Sequence, residues 1–551
     1  MIVDAAELPA GHALTCDVCV VGAGAAGIAL ARELARRGVD VLVLESGGTK
    51  YDPAAHDLDK GRVVDPEGHG PIEDYRRRRL GGSTTAWGGR CVPFDPIDFE
   101  PRDFVPHSGW PFGLAELEPY YRRAQALCEL GEYEYGATAC LPEAAARAPM
   151  IPGLASSELT TEPVYRFSPP TNFGARYHDE LAKSANARVV LHATCVEVAT
   201  NAEGRLVERL VAKGPGGRRI EVLARRVVLA GGGLEVARLL LSSTGASARG
   251  VANDRDLVGR FYMCHVTHHV DVELTRDLVW DYEKTRDGVY CQRTLSVTEA
   301  GQRSRRILNH RARVEHPDIA DPDHASGVLS ATYLAKTFLM RQAANRFLSD
   351  KVNVLSKGVV KSVELARPLE HARNVARDLP NVLRFSKRWL TDRVLAERKL
   401  PSMVIPSATH RYTLRIDAEQ APDPESRVTL GDEKDALGVP RLVVDWRARP
   451  IDSESLERTC ALFADAVRSS GIGAAAWAPA AKLQATGGHH VGTTRMSDDP
   501  ARGVVDASCR VHGVENLFVA SSSVFPTCSY ANPTLTIVAL ALRLADRLAG
   551  V

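Results

Sequence analysis

Apolar and polar positions in the first fifty residues form blocks that predict a strand, a helix and a second strand. A short apolar run at 16–21 leads into a glycine-rich turn, and a helical stretch rich in Ala, Leu and Arg then reaches Arg37. Gly38 ends this stretch, and a second apolar run covers 39–44. Short apolar runs bounded by turn residues are typical of buried strands. The order indicates the opening of a doubly wound α/β domain.

The turn between the first strand and the helix carries a dinucleotide-binding pattern, Gly22-x-Gly24-x-x-Gly27. In this pattern Gly22 makes the tight turn, Gly24 lets the backbone approach a pyrophosphate, and Gly27 allows close packing of helix on strand. Glu45 ends the second strand, where a carboxylate accepts hydrogen bonds from ribose hydroxyls and disfavours a 2′-phosphate. The pattern therefore predicts a bound dinucleotide other than NADP, and it does not separate FAD from NAD.

Alternating apolar positions and turn residues predict more strands in the middle of the chain, and a strand and a helix near its C-terminus. The predicted strands cover 188–192, 195–200, 205–213, 219–223, 227–229, parts of 410–446, and 516–520, and the last helix covers 533–548. Because α/β character occurs at both ends, we predict a discontinuous Rossmann-like domain at 1–260 and 475–551. An inserted α+β substrate domain at 261–474 would cover the site.

Residues 333–399 differ from the rest because they read as helical and strongly basic. They carry 15 Lys and Arg against 6 Asp and Glu. Such an insert can dock an electron-accepting protein or an anionic surface. A solvated lid and an oligomer contact are the alternatives.

Composition excludes several classes of protein. Lys and Arg number 69 and Asp and Glu 68, so the net charge of +1 gives no reason to expect nucleic-acid binding. No apolar run reaches the roughly 18 residues of a transmembrane helix, and the first residues lack the pattern of a secretory signal. The 11 cysteines are scattered and odd in number, which is typical of reduced thiols in a cytoplasmic protein. We expect no metal site.

A second glycine cluster and three further stretches resemble the glucose–methanol–choline (GMC) oxidoreductases. The cluster, at 79–90, reads RLGGSTTAWGGR, and the family carries a similar loop beside its flavin. The further stretches are RVVLAGGGLEVARLLL at 226–241, HHVGTTRM at 489–496 and NLFVASSSVFPTCSYANPTLTIVALALRLADRL at 516–548. They follow the family's order along the chain. Residues 265–410 carry no matching motif.

The resemblance implies FAD as the cofactor. It adds FAD contacts to those of the first glycine turn: Gly81, Gly82, Ser83, Trp87, Val196, Gly231 and Pro533. Some relatives attach their flavin covalently through a histidine in the loop near Trp87. Ala86 stands at the position that we align with it, so we expect noncovalent FAD.

The resemblance also implies a catalytic pair, His489 and Asn532. Oxidation of an alcohol sends the hydroxyl proton to a base and a hydride to flavin N5, and histidine is the natural base near neutral pH. The spacing His-x-x-Gly-Thr selects His489, and His490 is the alternative base. In an extended segment the two rings point in opposite directions, so one of them can face the flavin. Asn532 would orient the substrate oxygen, although Asn-Pro is also an ordinary helix start, with Asn as the N-cap.

These features predict an enzyme that oxidises the CH–OH group of a small molecule: a sugar, an amino sugar or a polyol. The substrate class rests on the resemblance of the C-terminal segment and of 419–428 to bacterial carbohydrate-oxidising members. A sterol or another apolar alcohol, and a flavin-binding protein without turnover, are the alternatives. A dehydrogenase is favoured over an oxidase, and the electron acceptor stays open between oxygen, a quinone and a protein.

Overall fold

The computed structural model describes residues 1–8, 13–279, 281–343, 367–402, 405, 410–480 and 482–550. Part of the predicted helical insert, 344–366, lies outside the described residues. The strands are β1 (Ile2–Asp4), β2 (Ala13–Val21), β3 (Val41–Leu44), β4 (Gly61–Val63), β5 (Arg90–Cys91), β6 (Leu159–Thr160), β7 (Val164–Phe167), β8 (Ala187–Leu191), β9 (Thr194–Thr200), β10 (Val207–Lys213), β11 (Arg219–Leu229), β12 (Met263–Leu274), β13 (Glu283–Lys284), β14 (Tyr290–Arg293), β15 (Leu295–Val297), β16 (His310–Glu315), β17 (Arg411–Ala418), β18 (Arg427–Lys434), β19 (Pro440–Asp445), β20 (Gly473–Ala476), β21 (Ala485–Val491) and β22 (Leu517–Val519).

Helices connect and cover these strands. They are α1 (Ala25–Arg36), α2 (Pro53–Asp57), α3 (Pro96–Phe99), α4 (Leu114–Leu127), α5 (Ala137–Cys140), α6 (Glu143–Arg147), α7 (Phe173–Arg176), α8 (His178–Lys183), α9 (Gly232–Ser242), α10 (Glu299–Arg305), α11 (Gly327–Ala343), α12 (Pro368–Arg377), α13 (Leu379–Arg388), α14 (Pro450–Ser469) and α15 (Thr534–Leu548). In the part of the chain that is described, no helix combines the length and the apolar character needed to cross a bilayer.

The largest sheet has eight strands and confirms the predicted α/β fold. Its order is β1-β8-β3-β2-β11-β10-β9, with β22 also paired to β11. β2 and β3 are parallel and joined through α1, which is the predicted strand–helix–strand unit. The two strands predicted at 219–223 and 227–229 are one strand, because β2 pairs with β11 from Ala13 to Val21 without a break in direction.

A second, antiparallel sheet has the order β20-β12-β17-β16-β15-β6, with β21 paired to β12. One face is apolar and buried, and it includes Val270 and Leu414 next to Phe463 of α14. The other face carries charged side chains, among them Arg313 and Asp417. Side chains on a strand alternate between faces, so the same strands supply a core and a polar wall.

The pairing of strands bears on the proposed division into two domains. β5, β6 and β7 come from 90–167, yet β6 pairs with β15 and β7 with β14, and β5 joins the same sheet through β7. β20 and β21 lie after 473 and pair with β12. We therefore propose that the substrate domain draws on 90–167 and on 473–491 as well as on 261–474.

Candidate active site

The first glycine turn has the geometry that a dinucleotide needs. Gly22 has a φ of +107°, and a Cβ at this position would come within 2.8 Å of the Ala230 carbonyl oxygen. A Cβ on Gly27 would come within 1.9 Å of the Gly22 carbonyl oxygen, so only glycine permits this packing of α1. A Cβ on Gly24 would meet no atom within 4 Å. Gly24, at the N-terminus of α1, thus opens onto free space where a pyrophosphate fits.

Glu45 is buried beside this turn. Its two carboxylate oxygens accept hydrogen bonds from the backbone N–H groups of Ala23, at 2.8 Å, and Gly47, at 2.9 Å. Burial raises the pKa of Glu45, although both hydrogen bonds favour the carboxylate. Each carboxylate oxygen can accept more than one hydrogen bond, so either oxygen of Glu45 can also accept one from a ribose hydroxyl.

The second glycine loop packs directly on the first. The backbone N–H of Gly81 donates to the Ala23 carbonyl oxygen at 2.8 Å, and a Cβ on Gly82 would lie 2.9 Å from the Cα of Gly24. Trp87 is held in place because its indole N–H donates to the Thr171 carbonyl oxygen at 3.0 Å. The two loops therefore form one continuous wall of the candidate cofactor site.

The other predicted cofactor residues lie around this wall. The Ser83 hydroxyl donates to the Tyr75 carbonyl oxygen at 3.0 Å. Gly231 precedes α9, and its backbone nitrogen would lie 3.1 Å from a Cβ on Gly22. Val196 lies on β9, which packs against α9. Pro533 directly precedes α15.

The helix after Asn532 begins one residue later than predicted. α15 starts at Thr534, and Pro533 occupies the N-cap position instead of Asn532. The Pro533 carbonyl oxygen accepts the first helical hydrogen bond from Ile537, at 2.8 Å. The Asn532 side chain is engaged elsewhere, by Arg90 and His489, and this explains why it does not cap the helix.

His489 and Asn532 meet although 43 residues separate them. β21 and β12 shift register between Met263 and His265, and such a bulge re-aims side chains. The ring of His489 then lies between Asn532 and His265. Its Nε2 is 3.2 Å from the Asn532 Nδ2, and its Nδ1 is 3.1 Å from the Nδ1 of His265.

The partners fix which ring nitrogen of His489 carries the proton. His265 Nε2 lies 3.3 Å from the Cys528 carbonyl oxygen, which only accepts, so Nε2 donates and the Nδ1 of neutral His265 accepts. His489 therefore donates from Nδ1 and keeps a lone pair on Nε2. Burial lowers the pKa of His489 well below its usual range, and it lowers the pKa of His265 to about 4. Both rings are neutral at pH 7.

Arg90 and Asp417 complete this arrangement, and sequence reasoning missed both. Arg90 Nε donates to the Asn532 Oδ1 at 2.7 Å, which directs the amide NH₂ toward His489. Arg90 Nη1 also pairs with the Asp417 carboxylate at 2.9 Å. Arg90, Arg313 and Arg415 hold the pKa of buried Asp417 low despite the desolvation that raises it. Arg90 ends the second glycine cluster, but that pattern did not indicate its role, and no local pattern marked Asp417, because the partners of both residues are distant in sequence.

His490 points away from His489 into a separate buried cluster. Its Nδ1 is 2.6 Å from the Tyr262 hydroxyl, which also lies 2.8 Å from His69 Nε2 and 3.1 Å from Cys264 Sγ. The ligand atoms of the two histidines and the cysteine lie within 4.8 Å of one another, as in a metal site. The Tyr262 hydroxyl lies among them and hydrogen-bonds to each, which accounts for their convergence. The expected absence of a metal stays a prediction.

Comparisons with known proteins bear on the family and the fold. A family model described as GMC oxidoreductase matches residues 422–541, and one described as FAD binding domain matches 15–65. Paromamine 6′-oxidase of Streptomyces fradiae is 28% identical over 97% of this chain and 91% of its own length. The fructose dehydrogenase large subunit of Gluconobacter japonicus is 22% identical and covers 97% of both chains. The structure of formate oxidase from Aspergillus oryzae RIB40 superposes with a TM-score of 0.51, at 16% identity, over 98% of this chain and 99% of its own.

The fold and the two matching family models indicate an FAD-binding oxidoreductase. The chain is similar to the glucose–methanol–choline oxidoreductases, and the relatives that it matches over most of its length include enzymes named for the oxidation of paromamine and of fructose. The resemblance inferred from the motifs is thereby confirmed.

Proposed function

We propose that this protein oxidises a CH–OH group of a sugar, an amino sugar or a polyol, with noncovalent FAD as cofactor and His489 as the general base. The observation that carries the proposal is the contact between His489 Nε2 and the Asn532 NH₂, at 3.2 Å, in a half-buried, polar site. In this contact the lone pair of Nε2 accepts from Asn532, and a substrate hydroxyl that replaces this hydrogen bond reaches the same lone pair. A base must be deprotonated before it can act, and the lowered pKa of His489 keeps it so.

Each protein group in the site has a defined task. His489 Nε2 takes the hydroxyl proton of the substrate. The Asn532 NH₂ has a second hydrogen, which can bind the same substrate oxygen, while its carbonyl oxygen is held by Arg90. Bound FAD supplies the acceptor for the hydride. The N-terminus of α15, next to Asn532, directs its positive dipole end into the site and favours negative charge there.

The substrate class is supported by two observations. The relatives reported above are named for oxidation of an amino sugar derivative and of a sugar. The wall of the site carries Arg90, Arg313 and Asp417, which suit a polyhydroxyl compound and not an apolar alcohol. One of the two is named an oxidase and the other a dehydrogenase, so neither acceptor is preferred.

The test is the rate of flavin reduction by substrate under anaerobic conditions. Loss of a positioned base costs about 10²- to 10⁴-fold in rate. His489→Ala should keep its bound flavin, because its ring contacts Asn532 and His265 and not the glycine loops. It should show flavin reduction slowed by about that factor.

His490→Ala is the matched control. It removes a neighbouring buried imidazole, whose partner is Tyr262, on the opposite face of the strand. We expect it to lower the unfolding temperature and to leave the rate of flavin reduction near that of the unmodified protein. If His489→Ala reduced its flavin at the normal rate and His490→Ala reduced it slowly, His490 and not His489 would be the base.

A further inference from the structure

Four buried side chains next to the catalytic pair leave polar atoms without a hydrogen-bond partner. We call Tyr165, Gln292, Arg311 and Tyr530 the donor cluster. The unpartnered atoms are both tyrosine hydroxyls, Nη1 of Arg311, and both the nitrogen and the oxygen of the Gln292 amide. Each of the four side chains is at most 2% exposed.

The four residues come from four elements: the strands β7, β14 and β16, and the loop before α15. Gln292 on β14 is the direct neighbour of Tyr165 on β7, so both side chains lie on the same face. The Arg311 guanidinium lies 4.0 Å from the ring centre of Tyr530 and 5.8 Å from that of Tyr165. The two tyrosine rings are 6.4 Å apart.

A concentration of unsatisfied polar groups at one place is unusual inside a protein. Most buried polar atoms have a partner, and each one left unpaired destabilises the fold. The cost is recovered when a polar ligand supplies the missing partners. The donor cluster thus has the character of a binding surface and not of a packed core.

The donor cluster is also continuous with the catalytic residues. The Arg90 guanidinium stacks 4.8 Å from the ring centre of Tyr165, and its Nε bonds to Asn532. A substrate whose hydroxyl lies at His489 and Asn532 would therefore extend its other end past Arg90 into the cluster.

Hydrogen-bond donors outnumber acceptors in the cluster. Burial raises the pKa of the Tyr165 hydroxyl to about 12 and that of Tyr530 well above its usual range, so both hydroxyls stay protonated. Arg311 donates through its free Nη1, and Gln292 offers two N–H groups and one carbonyl oxygen. The nearest carboxylate to Arg311 is Asp95, at 3.2 Å from its other nitrogen, Nη2.

We infer that the donor cluster binds a carboxylate, and that the substrate is a polyhydroxy acid rather than an amino sugar. This inference rests on the proposed function and specifies its substrate. A carboxylate accepts from Arg311 and from both tyrosine hydroxyls. An ammonium group would be repelled by Arg311, and the free acceptors that it would find, the Gln292 oxygen and the two tyrosine oxygens, are all uncharged. One relative reported above is named for paromamine, which its name marks as an amine. The donor cluster suits a negatively charged group and not a positively charged one.

The experiment compares three compounds that share one carbon skeleton: D-gluconate, D-glucitol and D-glucamine. They differ only at C1, which is a carboxylate, an alcohol or an ammonium group. Dissociation constants are measured from the change in flavin absorbance of the His489→Ala holoenzyme. Its flavin reduction should be about 10²- to 10⁴-fold slower, so the absorbance is read before reduction sets in. We expect gluconate to bind at least about 10-fold more tightly than glucitol, since hydrogen bonds to a charged group are stronger than those to a neutral one. Glucamine should bind most weakly.

Tyr530→Phe, made in the same background, tests the assignment to the cluster. It keeps the ring over Arg311 and removes one unpaired hydroxyl, so the protein should be no less stable. The preference for gluconate over glucitol should fall by about 10-fold. The control is Tyr177→Phe, which removes a buried hydroxyl that already donates to Leu127, at 2.6 Å; stability should fall and the preference should not change.

Two readouts separate this inference from the proposed function. Flavin reduction by alcohols in the unmodified protein reports on the function, and the order of dissociation constants reports on the cluster. The inference is overturned if glucitol or glucamine binds as tightly as gluconate, if none of the three binds, or if Tyr530→Phe leaves the preference intact.

Discussion

The two ring nitrogens of His489 are held in different states by a chain of neighbours. Nδ1 donates to His265, which in turn donates to the Cys528 carbonyl oxygen, and Nε2 keeps its lone pair toward Asn532. His265 contacts His489 and the Cys528 carbonyl oxygen, and it would act on the substrate only through His489, so we regard it as a positioning residue. Its contribution is to keep His489 in the tautomer that can accept a proton at Nε2.

His265→Leu should slow anaerobic flavin reduction, because His489 Nδ1 loses its acceptor and the other tautomer becomes populated. We expect a loss of about 10-fold, in line with the 10- to 100-fold effects of partners that orient a metal-bound histidine. His265→Asn should restore part of the rate, since its carbonyl oxygen can accept from Nδ1. Equal rates for the two variants would assign His265 a packing role only.

The pH dependence of flavin reduction follows from the lowered pKa of His489. A base must be neutral to act, and a lowered pKa keeps it neutral as the pH falls through 6.5. The rate should therefore stay constant from pH 8 to below pH 6 and decline only at more acidic pH. A decline centred at or above pH 6.5, measured by stopped-flow reduction across this range, would contradict the assignment.

The sequence identifies part of this site and not the rest, for a physical reason. His489 and Asn532 lie in short sequence motifs, so the residues next to them along the chain identify them. Arg90 lies 442 residues from Asn532, and His265 lies 224 residues from His489. Such contacts depend on how two sheets pack, and local patterns carry no information about that.

At the scale of elements, the glycine turn between β2 and α1 makes a sharp prediction about the cofactor. A Cβ on Gly24 meets no protein atom within 4 Å, so Gly24→Val should fold normally. Its side chain would fill the space that a pyrophosphate needs, and the protein should purify with little flavin. The absorbance ratio of flavin to protein measures this.

Gly113→Val is the matched control for this variant. Gly113 is also the extended N-cap of a long helix, α4, and a Cβ there likewise meets nothing within 4 Å. Its flavin content should be unchanged. Full flavin occupancy in Gly24→Val would mean that this turn does not hold the pyrophosphate.

Local sequence signals predict elements best where one glycine or one apolar run decides the outcome. The β2–α1–β3 unit follows from such signals. The single strand β11 does not, because the charged residues Arg225 and Arg226 interrupt its apolar pattern. Its continuity comes from pairing with β2 along its length, which is a tertiary effect.

On the scale of the whole molecule, the two ends of the chain close one domain. β1 pairs with β8, β22 pairs with β11, and α15 packs against α1, where Arg37 and Asp546 form an ion pair at 2.6 Å. FAD bound at the Gly24 turn would contact the N-terminal segment and the segment that contains Pro533. The cofactor should therefore stabilise the entire fold and not a local loop.

Removal of FAD tests both this coupling and the noncovalent attachment expected from Ala86. Acid precipitation should leave the yellow colour in the supernatant. Apoprotein prepared by milder means should unfold at a lower temperature. Added FAD at about 1,000 times its dissociation constant should raise the free energy of unfolding by about 4 kcal/mol. Colour that stays in the pellet would show a covalent bond.

Arg90 has a consequence for how this enzyme can change its substrate. Its guanidinium donates to Asn532, where the substrate hydroxyl would react, and pairs with Asp417. The same guanidinium stacks on Tyr165 of the donor cluster, where the other end of the substrate would bind. A mutation at Arg90 would disturb turnover and selectivity together, so it offers no gradual route to a new substrate. Tyr165, Gln292 and Tyr530 bear on one end only. Adaptation to other alcohols, in nature or in directed evolution, is expected to proceed through these three positions while Arg90 is retained.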